Sequence, residues 1–155
     1  MEENKNEKTP EENLVEQDLA EHGAKNVDLI QEKREPIKYD MENGPWKDPI
    51  LETDSYYAFL DKFPVSEGHA LFVPKDDTFE CLAQSFVAAY ASGVNSSGPE
   101  GFSGFNIGMN VGKAAGQTVD WPHIHLIPRR EGDVEDPTGG VRNVIPEKGN
   151  YKEDK

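Results

Sequence analysis

The sequence predicts an α+β domain in which an antiparallel five-stranded sheet carries one main helix. Three observations predict it. Five short apolar runs bounded by turn residues read as strands. Only one segment keeps a convincing 3.6-residue apolar period. The elements follow one another as βββαββ, and no internal repeat is visible.

In chain order, Ile50-Leu51-Glu52-Thr53 and Tyr56 to Leu60 form two strands about an Asp54-Ser55 turn. Pro64 to Gly68 is a second turn, and His69 to Pro74 is a third, largely buried strand. The helix is short and runs from Thr78 to about Gly93. Thr78 is its N-cap, and Phe79, Leu82, Phe86, Ala89 and Tyr90 fall on one face. Asn95 to Gly101 is loop. Phe105 to Asn110 and His123 to Ile127 complete the sheet.

Residues 1–35 hold eleven acids against five bases and no aromatic residue, which predicts a disordered acidic tail. Asn43-Gly44-Pro45 and Asp48-Pro49 make 36–49 turn-rich, a linker on this reading, with order beginning near Ile50. The domain proper is then 50–151.

With 155 residues there is room for one domain of ordinary size. The net charge of −14 argues against generic adhesion to DNA, RNA or an anionic membrane. A phosphate ligand would have to be met by local donors against that field. Cys81 stands alone, which excludes an intrachain disulfide and a cysteine zinc cage. No stretch approaches the roughly 20 apolar residues of a membrane span. The first residues lack the apolar run of a secretory signal, so a cytoplasmic protein is expected.

The chemistry concentrates at Trp121-Pro122-His123-Ile124-His125-Leu126. Side chains alternate along a strand, so Trp121, His123 and His125 share one face, expected to be exposed. Pro122, Ile124 and Leu126 take the other and pack under the helix. Two adjacent imidazoles on an exposed face point to a functional arrangement more than to packing. They also suit a metal, with His69 as a third ligand, and surface histidines are the plain alternative. Just before them lies the loop Asn110 to Thr118. Gly112 and Gly116 let its backbone approach a ligand, and its N–H groups can form an anion nest. Asn110, Gln117 and Thr118 add neutral donors. An ordinary glycine-rich hairpin loop is the alternative.

Phe59-Leu-Asp-Lys-Phe-Pro-Val-Ser-Glu-Gly-His-Ala-Leu-Phe-Val-Pro-Lys75, Gly104 to Val119 and His123-Ile-His-Leu-Ile-Pro-Arg129 together resemble proteins of the histidine-triad (HIT) family. Gly139 to Tyr151 is similar to the C-terminus of a bacterial branch of that family. The resemblance spans roughly 50–151 and implies a two-fold homodimer that binds a purine nucleotide. It implies hydrolysis at the α-phosphate of a dinucleoside polyphosphate or nucleoside phosphoramidate through a nucleotidyl-histidine. On the same grounds His123 is the nucleophile and His125 contacts the phosphate. Asn110 and Thr118 are phosphate-side donors with Gly116 and Gln117 beside them. Asp61 holds the ribose, Phe59 lies against the base, and His69 lies near the phosphate. No cofactor is implied, although Mg²⁺ can accompany a polyphosphate substrate. Trp121 stands where the family pattern has its first histidine; an indole donates one N–H but accepts no proton, so Trp121 is expected to wall the nucleotide site and orient His123 by packing. A nucleotide-binding module without turnover is therefore the rival expectation.

Deleting residues 1–35 should change the stability of the remaining domain by less than about 2 kcal/mol, since a segment without aromatics has little apolar area to bury. Urea unfolding of the full chain and of 36–155 measures the difference. A larger loss would mean that the tail packs on the domain.

Overall fold

The computed structural model describes residues 34–98 and 101–150, with a few isolated positions nearer the N-terminus. The acidic-tail expectation therefore lies almost wholly outside the described residues. The chain divides into two compact units, 1–35 and 36–155, and everything below concerns the second.

The five strands are β1 (Leu51–Glu52), β2 (Tyr56–Leu60), β3 (Ala70–Pro74), β4 (Gly104–Gly108) and β5 (Ile124–Arg129), with helix α1 (Phe79–Ser96) between β3 and β4. The sheet order is β1-β2-β3-β5-β4, and every pairing is antiparallel. The expected βββαββ order and antiparallel sheet are what the chain forms. Short turns of helix follow at Lys113–Ala115, Gly140–Val144 and α2 (Pro146–Gly149). Among the described residues no helix is long and apolar enough to cross a membrane.

Register decides which side chains meet. Phe59 pairs with Leu71 and Leu71 with His125. Two-residue alternation therefore puts Phe59 and Asp61, His69, Leu71 and Val73, and His123 and His125 on one face. The opposite face carries Ala58, Ala70, Phe72, Ile124 and Leu126, which form the main core with Ala89, Leu82 and Phe86 of α1.

α1 begins where the sequence predicts. The Thr78 hydroxyl accepts the Cys81 N–H, and Thr78 itself stays extended. The helix continues past Gly93 to Ser96, and its buried stripe differs from the expected one. Cys81, Ser85, Ala89 and Gly93 are buried, whereas Phe79 and Tyr90 are 37% and 58% exposed. The small residues let the helix axis approach the sheet. At Gly93 an added Cβ would lie 2.7 Å from the Phe105 ring, so the large side chains are displaced to the flanks.

The segment expected as a linker is instead part of the folded unit. The Tyr39 N–H donates to the Lys75 carbonyl at 2.8 Å, and Tyr39 is 8% exposed. Its hydroxyl accepts from the Trp46 N–H and donates to the Trp46 carbonyl, both at 2.9 Å. Tyr39, Met41 and Trp46 cover Phe59, Leu71 and Val73, which would otherwise leave an apolar patch in water. Turn signals dominate this stretch of sequence, yet its aromatic residues decide where it goes. Order begins well before Ile50.

Ile124 has no exposed surface and sits at the centre of the main core. Ile124→Ala should cost about 2–5 kcal/mol through lost transfer energy and a residual cavity. Chemical denaturation would read this as a lower midpoint, and an unchanged midpoint would place the core elsewhere.

Candidate active site

The face of the sheet away from α1 gathers the polar groups. Asp61, just past β2, donates its N–H to the carbonyl of His69, just before β3. The His69 and His125 ring centres lie 5.2 Å apart, and those of His125 and His123 lie 5.0 Å apart. The Asp61 carboxylate stands 3.6 Å from His69 Nε2. These four residues, scattered over more than sixty positions, form one row.

Hydrogen bonds fix the tautomer of each neutral ring. His123 Nδ1 is 2.8 Å from the Trp121 carbonyl. A carbonyl can only accept, so Nδ1 carries the proton and Nε2 presents its lone pair. Val65 N–H donates to His69 Nδ1 at 3.3 Å, so the proton of neutral His69 is on Nε2. That N–H points at His125 Nδ1, 2.9 Å away. Neutral His125 is left with its proton on Nε2. The row therefore offers one nucleophilic nitrogen and one neutral donor side by side.

Burial keeps the donor neutral. His125 is pushed down to about 4, first by desolvation and then by the neighbouring His123 and His69, with Asp61 opposing. His69 is lowered by burial, partly offset by Asp61. His123 is 6% exposed, so the face expected to be open is roofed. The Trp46 ring lies 4.8 Å from the His123 ring, centre to centre.

Asp61, His69 and His125 place one ligand atom each within 4.8 Å of one another, which is compact enough for a metal ion. The donor set fits poorly. A metal on His69 Nε2 requires the proton on Nδ1, where Val65 already aims its own N–H. The observed pattern is that of a hydrogen-bonded relay.

Trp121 precedes β5, and its indole N–H donates to the Pro74 carbonyl at 2.9 Å. Its ring packs against Tyr39, 5.6 Å between centres. The indole is thus fully used inside the fold. Gln117 also serves the fold: its Oε1 accepts from the Gly112 N–H, and its Nε2 donates to the carbonyls of Val119 and Asp120. These bonds brace the loop on either side of the turn Lys113–Ala115. Gly112 and Gly116, at φ 81° and 82°, close that turn in a conformation that favours glycine. Continuing the β4–β5 register by two residues sets Asn110 across from His123. Gly116 and Thr118 lie exposed on the loop. Phe59 is 2% exposed, and its nearest aromatic neighbours include Trp46 and Tyr57. It supports the wall and does not itself face solvent.

The structure thus brings His69, His123, His125 and Asp61 together. It also adds Tyr39 and Trp46, which the sequence reading missed. The available signal was the presence of large aromatic residues in a segment otherwise composed like a solvated turn.

Residues 46–132, more than half of the chain, match the family model described as HIT domain. The chain belongs to the HIT family. Among HIT relatives, it is 40% identical over 91 residues to adenylylsulfatase HINT3 of Arabidopsis thaliana, covering 54% of this chain and 46% of that protein. It is 36% identical over 91 residues to adenosine 5′-monophosphoramidase HNT1 of Saccharomyces cerevisiae, covering 53% of this chain and 54% of that one. The chain thus spans about half the length of these two curated relatives. A solved zinc-bound histidine triad family protein from Mycobacterium smegmatis is 36% identical, with a TM-score of 0.48, covering 55% of this chain and 67% of that one. The HIT match begins at Trp46 itself, within the stretch expected to be a linker.

A ring titration followed by NMR should place the His125 midpoint near 4. Because the folded value lies below the unfolded value of about 6.5, His125 should weaken folding as pH falls from about 6.5 towards 4 and have no effect above that window. A His125 midpoint near 6.5 would contradict the buried relay.

Proposed function

We propose that this HIT-family chain hydrolyses a purine nucleotide conjugate at its α-phosphate through a nucleotidyl-His123 intermediate. The observation that supports this most directly is the hydrogen bond from His123 Nδ1 to the Trp121 carbonyl, which leaves Nε2 as a directed nucleophile. In the first step the Nε2 lone pair forms an N–P bond. The bond from phosphorus to the leaving group breaks, and that group departs with the electron pair. In the second step water attacks phosphorus, the N–P bond breaks, and the water proton is released. Two relatives named for adenylyl conjugates support an adenosine nucleotide as substrate.

Each remaining residue has a place in this scheme. His125 Nε2–H and Asn110 donate to non-bridging oxygens, together with Thr118 and the N–H groups around Gly116. A group that binds its proton only near pH 4 is a poor proton source at neutral pH, so the leaving group takes its proton from water. Asp61 holds the ribose. His69 aims His125, and the Trp46 ring supplies the base-side wall that Phe59 supports. No cofactor takes part, and Mg²⁺ would serve only to escort a polyphosphate.

The active unit in this proposal is a homodimer. β4 is an edge strand, and beside it Val87, Tyr90 and Val94 leave α1 with an exposed apolar stripe. A second copy related by a two-fold axis would extend the sheet and cover the stripe.

His123→Ala should abolish AMP release from an adenosine phosphoramidate, by at least several hundred-fold, while nucleotide binding persists. Turnover and calorimetric binding on the same preparation separate the two effects. Activity above about a tenth of wild type would overturn the assignment. Tight binding by the wild-type chain with no AMP formed would favour a non-catalytic binding module.

A further inference from the structure

The segment 36–49 lies as a strap on the histidine face of the sheet, and its bonds converge on one residue. Upstream, the Ile37 N–H donates to the Asp77 carboxylate at 2.9 Å, and the Tyr39 N–H is held by the Lys75 carbonyl. The strap then closes on itself. Asp40 Oδ1 accepts the N–H groups of Glu42 and Asn43, each at 2.9 Å, and the Asp40 carbonyl accepts from Gly44 at 2.7 Å. Just beyond Trp46, the Ile50 N–H is fixed to the Ala58 carbonyl of β2. Between these anchors the Tyr39 hydroxyl spends both its donor and its acceptor on the backbone of Trp46, at 2.9 Å each. Burial raises the phenol above its usual range, so it keeps the proton that one of these bonds needs. A Cβ on Gly44 would lie 2.5 Å from the Tyr39 hydroxyl oxygen, so the clamp requires glycine there.

What the clamp holds is an indole set between two parts of the site. The Trp46 ring centre is 4.8 Å from that of His123 and 6.4 Å from that of Phe59. Phe59, at 2% exposure, has no face to offer a base, whereas Trp46 is only half-buried. An indole stacks on a nucleobase through its π-face. Tyr39 is itself buried and lies ahead of the stretch 46–132 that matches the HIT model. Any effect it has on a ligand must therefore pass through Trp46.

We infer that Tyr39 is a positioning residue whose hydroxyl sets Trp46 as the surface on which the substrate's nucleobase stacks beside His123. The assignment rests on the nucleotide hydrolysis proposed above and names what orders the nucleoside end of its site. Without the clamp the indole keeps its area and loses its place. The loss then falls on base-dependent binding and not on attack at phosphorus.

The test is a double-mutant cycle on the full chain, read as a ratio of kcat/KM values. The numerator is adenosine 5′-phosphoramidate, and the denominator is the 5-phosphoramidate of 1-deoxyribose, which lacks the base. Tyr39→Phe, which keeps the ring and removes the hydroxyl, should lower that ratio several-fold, mainly through the KM of the adenosine substrate. Trp46→Ala should lower it at least as much, and Tyr39→Phe should lower it no further once Trp46 is gone. Equal effects of Tyr39→Phe on both substrates, or its full effect in the Trp46→Ala background, would overturn the positioning role. If the wild type releases no AMP, the hydrolysis reading falls alone. The same cycle is then read on calorimetric Kd values for AMP and 1-deoxyribose 5-phosphate, where failure of AMP to bind would overturn the clamp as well. Should a thermal melt show that Tyr39→Phe does not fold, Gly44→Ala displaces the hydroxyl with both aromatic rings intact. An unchanged ratio in that variant would equally contradict the assignment.

Discussion

Trp121 works at both ends, and the geometry of the site depends on it. Its carbonyl accepts the proton of His123 Nδ1, and its indole N–H reaches across to the carbonyl of Pro74 at the end of β3. The first bond sets the tautomer of His123, the proposed nucleophile. The second fixes the chain that enters β5 against the neighbouring strand. A bond of this kind contributes about 1 kcal/mol net, which is little for the fold. Its weight lies in orientation, since a neutral imidazole presents one lone pair and the carbonyl decides which nitrogen keeps it.

The sheet divides labour between its faces. The face under α1 holds aliphatic side chains and stabilises the fold. The other carries the histidine row, and its apolar remainder is roofed by Tyr39 and Trp46. A chain with a net charge of −14 has little excess positive charge to offer a phosphate. The phosphate site proposed above relies instead on fixed N–H donors. His125 fits that scheme because burial and two neighbouring imidazoles keep it uncharged, and the His69 proton keeps its own donor pointed outward. Desolvation penalises a charged histidine far more than a neutral, hydrogen-bonded one.

Local pattern made much of this legible. The alternation Trp121, His123, His125 put the three on one face, and Ile124 and Leu126 duly entered the core under the helix. Thr78 was readable as a cap because capping is decided within four residues. Long-range packing was not readable. Asn43-Gly44-Pro45 does form a turn, with Gly44 N–H bonded to the Asp40 carbonyl. Nothing in that turn discloses that it delivers Trp46 onto His123, 77 positions later. The contact between His69 and His125 spans 56 positions, and only the strand register creates it. The helix face was legible at Leu82, Phe86 and Ala89 but not at Phe79 and Tyr90, which lie at the exposed flanks. Close approach to the sheet selects small residues for the buried stripe, with Gly93 against Phe105. The Arg129–Asp133 pair was also hidden, because its i,i+4 spacing carries meaning only once the chain turns there.

The central claim is that the Trp121 carbonyl holds His123 in the tautomer that leaves Nε2 free. Long-range ¹H–¹⁵N correlation of the histidine rings at neutral pH measures this directly. The structure predicts that His123 shows a protonated Nδ1 and an unprotonated Nε2 in the free protein. A proton found on Nε2 of His123 would contradict the account, since the nitrogen assigned to attack would then have no lone pair to offer.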